Sequence, residues 1–265
     1  MGDWLGLRDK VCVVTGAGSG IGEEIAKRFA EVGATVAILD RVKASADRVA
    51  KEITAVGGRC IAFPADVTDP EAIQFVASSV EHTLGPCSVL VNNAGVQLPE
   101  ALLSIDLSEW KRALDVNLTG ALVCTQRFGP QMISRGGGSI VCLGSITGTH
   151  PRAGGGAYSS SKAGIAMLAR QLAVELGPYA IRCNTVSPGY IKTPLSARNY
   201  HDPEIAGARI RMVPLNRIGQ TQDVADLILF LSSDRASYLT GQEVLVDGGL
   251  SQVLMNMAPR PGITA

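Results

Sequence analysis

Tyr158 and Lys162 stand four residues apart in the run Tyr158-Ser159-Ser160-Ser161-Lys162, with Ser145 upstream. On a helix, positions i and i+4 share a face, so a phenol and an ammonium placed there reach the same small volume. A free tyrosine ionises near pH ~10 and is a weak base at neutral pH. A fixed positive charge within a few ångströms favours the phenolate. The spacing therefore predicts that Lys162 lowers the pKa of Tyr158. It also predicts that Tyr158 takes a proton from an alcohol or gives one to a carbonyl.

The elements that must position this pair alternate along the chain. Val11-Cys12-Val13-Val14 reads as a strand and runs into Thr15-Gly16-Ala17-Gly18-Ser19-Gly20-Ile21-Gly22. A helix follows from Ile21 to Val32, with Ile21, Ile25, Phe29 and Val32 on one stripe. Glycines between a strand and a helix let the backbone approach a pyrophosphate, and the helix N-terminus supplies oriented N–H groups. The spacing is GxxxGxG, because Ile21 takes the place of the third glycine of GxGxxG. Thr35–Leu39 is the next strand and ends at Asp40, where an acid can bind ribose hydroxyls. A carboxylate there opposes a 2′-phosphate and predicts NAD over NADP, although Arg41 beside it could accommodate that phosphate.

Further strands are expected at Cys60–Phe63, Val89–Val91, Ile140–Leu143, Ile181–Val186 and Glu243–Val246. Helices are expected from Asp69-Pro70 to Thr83, from Ser108 toward Ser134, from Ala157 to Leu176 and from an N-cap at Thr221. Continuous apolar strands with intervening helices imply a parallel sheet covered on both faces. The expectation is an α/β single-domain Rossmann fold, a doubly wound sheet of about seven strands. Its core would span about 7–251 of the 265 residues, with 252–265 as a C-terminal extension. The least patterned stretch, Thr193–Asn216, reads as a lid.

Apolar residues make up 46% of the chain, enough for a sizeable core, and the formal net charge is zero, which argues against a nucleic-acid surface. Cys12, Cys60, Cys87, Cys124, Cys142 and Cys183 form no CxxC pair, and the three histidines are scattered. They read as small buried residues of a reducing compartment, with no metal site. No apolar run reaches the ~18 residues of a membrane span. A cytoplasmic protein is expected.

Taken together, these motifs resemble the short-chain dehydrogenase/reductase family over roughly Leu7–Ser251. The motifs that carry the likeness are the glycine loop, Asp66-Val67, Asn92-Asn93-Ala94-Gly95, Asn117, Ser145, Tyr158-x-x-x-Lys162, Pro188-Gly189 with Thr193, and Val246-Asp247-Gly248-Gly249. The resemblance implies an NAD-linked oxidoreductase of a secondary alcohol or ketone, with Asn117, Ser145, Tyr158 and Lys162 as catalytic residues. Ser145 would hold the substrate oxygen, Lys162 would also bind the nicotinamide ribose, and Asn117 would hold a relay water. The cofactor contacts implied are Gly16, Gly18, Ser19, Gly20, Ile21, Gly22, Asp40, Arg41, Asp66, Val67, Asn93, Ala94, Gly95, Tyr158, Lys162, Pro188, Gly189, Ile191 and Thr193.

Substrate positions are expected at Gln97, Ser145, Thr147, Arg152, Tyr158, Tyr190 and Arg198, within a basic neighbourhood that includes His150, Arg209 and Arg211. These charges suggest a small hydroxylated or acidic substrate: a sugar, polyol or hydroxy acid. The alternatives are an NADPH-dependent ketone or 3-oxoacyl-thioester reductase, or a catalytically silent dinucleotide-binding regulator. The resemblance further implies a homotetramer, or less often a dimer. Leu118, Leu122, Ile165, Met167 and Leu168 could serve either its interface or the core.

Overall fold

A computed structural model describes residues 3–257. Seven parallel strands form one sheet: β1 Val11–Thr15, β2 Thr35–Asp40, β3 Arg59–Pro64, β4 Cys87–Asn92, β5 Gly138–Leu143, β6 Ile181–Pro188 and β7 Glu243–Val246. Their order is β3-β2-β1-β4-β5-β6-β7. The winding direction reverses between β1 and β4, which opens a crevice beyond their carboxyl ends. The seven-stranded expectation holds.

Side chains alternate across the sheet, so each strand feeds two cores. Val13, Leu90 and Ile140 pack on one face with Val76 of α3 (Pro70–Leu84), Phe128 of α5 (Gly120–Ser134) and Ile165 of α6 (Tyr158–Leu176). Cys12, Val36 and Val91 pack on the other with Phe29 of α1 (Gly20–Glu31), Ile53 of α2 (Lys43–Ala55) and Ile228 of α8 (Thr221–Ser232). Fully burying a side chain such as Phe29 or Phe128 contributes about 1.5–3 kcal/mol, which holds helices on both faces.

Helix starts follow local chemistry. Asp69 accepts hydrogen bonds from the N–H groups of Glu71 and Ala72, with Pro70 in the first turn. α8 departs from expectation by one residue. Gln220, not Thr221, is the N-cap, and it forms a reciprocal capping box with Asp223.

The helix expected from Ser108 to Ser134 is interrupted. α4 (Leu107–Leu114) and α5 flank a π-helical turn, Asp115–Thr119, which carries Asn117. The lid segment is more ordered than expected. It holds a 3-10 turn, Ala197–Tyr200, and α7, Pro203–Met212, whose N-cap Asp202 accepts from Glu204 and Ile205. Of the C-terminal extension, residues 252–257 lie in a 3-10 segment, Leu250–Met257; the rest falls outside the described residues. No described helix is long and apolar enough to cross a membrane.

Candidate active site

The carboxyl ends of β1 and β4 are tied together by Thr15. Its hydroxyl donates to the Val91 carbonyl at 3.3 Å and accepts from the N–H groups of Asn93 and Ala94 at 3.0 Å each. The Asn93 amide returns two bonds, to the carbonyls of Thr15 at 2.8 Å and Gly16 at 3.1 Å. Gly16 takes φ +64°, a conformation that disfavours a side chain. A Cβ at Gly22 would sit 2.2 Å from the Gly16 carbonyl oxygen, so only glycine lets α1 pack this close to the loop. Ser19 is the N-cap of α1 yet makes no side-chain capping bond, which leaves its hydroxyl and the first-turn N–H groups to serve a ligand. This backbone cradle fits a pyrophosphate.

Asp40 ends β2 and is fixed on two sides. One carboxylate oxygen accepts from Gly18 N–H and the other from Val42 N–H, each at 2.9 Å. Gly18 is held a second time, because Arg48 of α2 donates to its carbonyl at 3.0 Å while pairing with Glu23. Asp40, Arg41, Asp66, Val67, Ala94 and Gly95 line one end of the cleft. Asp66 bonds the amide and hydroxyl of Thr68, which fixes its own turn. Gly16, Ser19, Gly20, Ile21, Gly22 and Asn93 continue the cleft toward Tyr158 and Lys162. Pro188, Gly189, Ile191 and Thr193 line the next cavity, which also holds Ile21 and Tyr158. The expected cofactor residues are thus brought into one groove, with Gly18 behind Asp40.

Tyr158 opens α6 and Lys162 follows one turn later. Lys162 is buried and donates to the Leu143 carbonyl at 2.6 Å, with its nitrogen 5.6 Å from the Tyr158 ring centroid. Burial pulls its pKa down to about 8, and the nearby Cys142 opposes the shift. Burial pushes the Tyr158 phenol above its ordinary value, while a hydrogen bond with Ser145 and the charge of Arg152 pull the other way. The expected lowering of Tyr158 by Lys162 is therefore not found in the protein alone. The ammonium is turned onto a carbonyl and weakened by its own desolvation.

Ser145 caps a short 3-10 turn, Ile146–Gly148, and its oxygen accepts from the N–H and hydroxyl of Thr147 at 3.2 and 3.0 Å. Its own O–H proton is turned to the Tyr158 phenol, which lines the same cavity.

Asn117 is 2% exposed, and its amide makes three hydrogen bonds within the protein. It accepts from Val96 N–H at 2.7 Å and donates to the Val96 carbonyl and the Ser161 hydroxyl at 3.0 Å each. The side chain braces the segment after β4, beside Gly95 and Lys162. Both amide N–H groups are taken, and the amide oxygen keeps one acceptor position beyond its bond from Val96.

Gln97, Ser145, Thr147, Arg152, Tyr158 and Tyr190 line one cavity beyond the nicotinamide end, together with Asn199, Tyr200 and Arg209. His150 and Arg211 are not in that lining. The side chain of Arg198 lies outside the described residues. Sequence reasoning missed the Leu143 carbonyl and the Arg48 brace. A main-chain acceptor leaves no side-chain signal, and Arg48 reads as an ordinary exposed charge on its helix.

A doubly wound parallel sheet with a glycine cradle at its switch point, opening onto a Ser–Tyr–Lys cluster, defines a dinucleotide-dependent oxidoreductase. The family model described as "Enoyl-(Acyl carrier protein) reductase" matches residues 16–251. The 3-oxoacyl-[acyl-carrier-protein] reductase FabG of Thermotoga maritima is 39% identical over 245 residues, 92% of this chain and 98% of that protein. Among solved structures, 7α-hydroxysteroid dehydrogenase complexed with NADH and 7-oxo glycochenodeoxycholic acid is 35% identical. It has a TM-score of 0.90 and covers 94% of this chain and 97% of its own. A gluconate 5-dehydrogenase from Burkholderia cenocepacia, in complex with NADP and tartrate, is 29% identical, with a TM-score of 0.90 over 94% of this chain and 98% of its own. The chain belongs to the short-chain dehydrogenase/reductase family, whose members act on CH–OH groups with NAD(P).

Proposed function

We propose that this protein is an NAD-dependent dehydrogenase of a small hydroxylated or acidic secondary alcohol, with Ser145, Tyr158 and Lys162 at the reacting atoms. The observation that carries it is the convergence of these three side chains where the dinucleotide groove meets the substrate cavity. Bound nicotinamide would supply the hydride acceptor or donor. Gly16, Ser19 and Gly22 would hold its pyrophosphate, Asp40 the adenosine ribose, and Thr193 and Pro188 the nicotinamide end.

Ser145 would turn its O–H from the Tyr158 phenol to the substrate oxygen and stabilise developing negative charge. The Tyr158 hydroxyl exchanges the proton with that same oxygen. Oxidation needs the phenolate. In the protein alone burial opposes this form, so the charge of an oxidised nicotinamide and of Lys162 supports it in the complex. Asn117 acts as a positioning residue, because its three hydrogen bonds fix the backbone beside Lys162.

Asp40 supports NAD, since its carboxylate, pinned by two N–H groups, opposes a 2′-phosphate. The likeness to a 3-oxoacyl reductase favours a second reading, NADPH-linked reduction of an oxoacyl thioester. A screen at 340 nm separates them. Turnover of polyols or hydroxy acids with NAD supports the first, and preferential NADPH oxidation with a 3-oxoacyl thioester supports the second.

A homotetramer in the cytoplasm completes the reading. Ile165 is core, and Leu118 and Leu168 pack against it, whereas Leu122 and Met167 are exposed on α5 and α6 and are offered to a neighbouring copy. Sedimentation of wild type and Met167→Asp tests this. A shift to smaller species is expected, and an unchanged coefficient would refute that interface.

A further inference from the structure

Arg209 is what α7 contributes to the cavity that Ser145 and Tyr158 share. Its guanidinium carbon lies 4.8 Å from the ring centroid of Tyr190 and 5.7 Å from that of Tyr200. The two rings arrive from different elements, one just past β6 and one at the end of the 3-10 turn Ala197–Tyr200. Stacking uses the faces of a guanidinium and leaves its in-plane N–H donors directed outward. Neither Arg209 nor Arg152 makes an ion pair with a described acidic residue.

The charge of the lining is one-sided. Among the described residues Arg209 and Arg152 are its cations, and none is an aspartate or glutamate. Gln97, Thr147 and Asn199 add neutral polar groups. Arg152 is exposed, as a solvated rim residue would be, whereas Arg209 is half-buried between two rings. A fixed planar fork loses less freedom on binding an anion than a free lysine or rim arginine does.

We propose that Arg209, clamped by Tyr190 and Tyr200, is the carboxylate anchor of this cavity and that the substrate is a hydroxy acid. The inference rests on the oxidoreductase reading above. The carboxylate seats on the outward edge of Arg209 while the hydroxyl carbon lies at Tyr158. The C–H leaves as hydride to oxidised nicotinamide, the O–H proton goes to the Tyr158 phenolate, and the product is the keto acid. The carboxylate is unchanged. Arg152 adds attraction at the mouth without fixing orientation.

The test uses D-gluconate, L-tartrate, (R)-3-hydroxybutyrate and cis-4-hydroxycyclohexanecarboxylate, each beside its neutral carboxamide, with NAD at 340 nm. Wild type is expected to prefer at least one acid over its amide in kcat/KM by about tenfold or more, the scale of one charge-assisted contact. Arg209→Gln is expected to erase that preference mainly through KM, and Arg209→Lys to retain part of it. Equal turnover of acids and amides by wild type, or an equal fall for both in Arg209→Gln, would overturn the anchor while leaving the dehydrogenase intact. If no acid or amide is turned over and the polyols are not either, the dehydrogenase reading fails. Titration calorimetry of the same acids and amides against protein with NADH then decides the anchor separately. Tenfold tighter acid binding that Arg209→Gln removes supports it, and no such preference in wild type refutes it.

Discussion

Replacing Asp40 with asparagine asks whether this carboxylate selects the cofactor. Its two oxygens sit 2.9 Å from Gly18 N–H and Val42 N–H, so it cannot swing away from a group at the ribose edge. A carboxylate and a phosphate charge about 5 Å apart repel by ~1–3 kcal/mol at effective dielectrics of about 80 to 20. Each 1.4 kcal/mol is about tenfold in affinity. Asp40→Asn removes that repulsion and is expected to move the NADH-to-NADPH affinity ratio toward NADPH by roughly tenfold. Asparagine can keep only one of the two backbone bonds, so stability should also fall, by about 1–2 kcal/mol. Titration of nicotinamide fluorescence with each reduced cofactor reads the ratio independently of that loss. A ratio that stays within twofold of wild type would refute Asp40 as the selector.

Lys162→Met tests the buried ammonium through pH. The lysine titrates near 8 in the fold against 10.5 unfolded, so between those values the unfolded chain binds the extra proton and wild-type stability rises with pH. Wild type should gain about 3 kcal/mol relative to Lys162→Met between pH 8 and 10.5, and parallel urea-denaturation curves would contradict this. Asn117→Ala removes one buried and two part-buried hydrogen bonds and strands both main-chain groups of Val96, so about 2–4 kcal/mol of stability should be lost in urea unfolding; a loss below about 1 kcal/mol would show the brace is dispensable. Gly22→Ala puts a methyl 2.2 Å from the Gly16 oxygen and should abolish detectable NADH binding, whereas near-normal affinity would discard the cradle.

Much of the site was legible because its chemistry is written in side-chain type and spacing. The glycine run after an apolar strand, the acid ending β2 and the Tyr158–Lys162 step all fell where the pattern placed them. What stayed hidden was backbone geometry and charge balance. Leu114, Leu118 and Leu122 keep helical spacing straight through the π turn at Asn117, so periodicity gives no sign of the interruption. α7 buries none of its residues fully and shows no apolar stripe, although Asp202-Pro203-Glu204 carries a helix-start signature. The i,i+4 spacing placed Lys162 beside Tyr158 correctly, yet it could not reveal that Leu143 receives the ammonium or that burial dominates both pKa values.

The central claim is that Tyr158 moves the proton in an NAD-linked hydride transfer. Tyr158→Phe keeps the ring and removes only the hydroxyl. With NAD and the best alcohol of the panel, turnover at 340 nm is expected to fall by about 100-fold or more, with NADH affinity held within threefold of wild type. A variant that keeps most of its turnover would contradict the account.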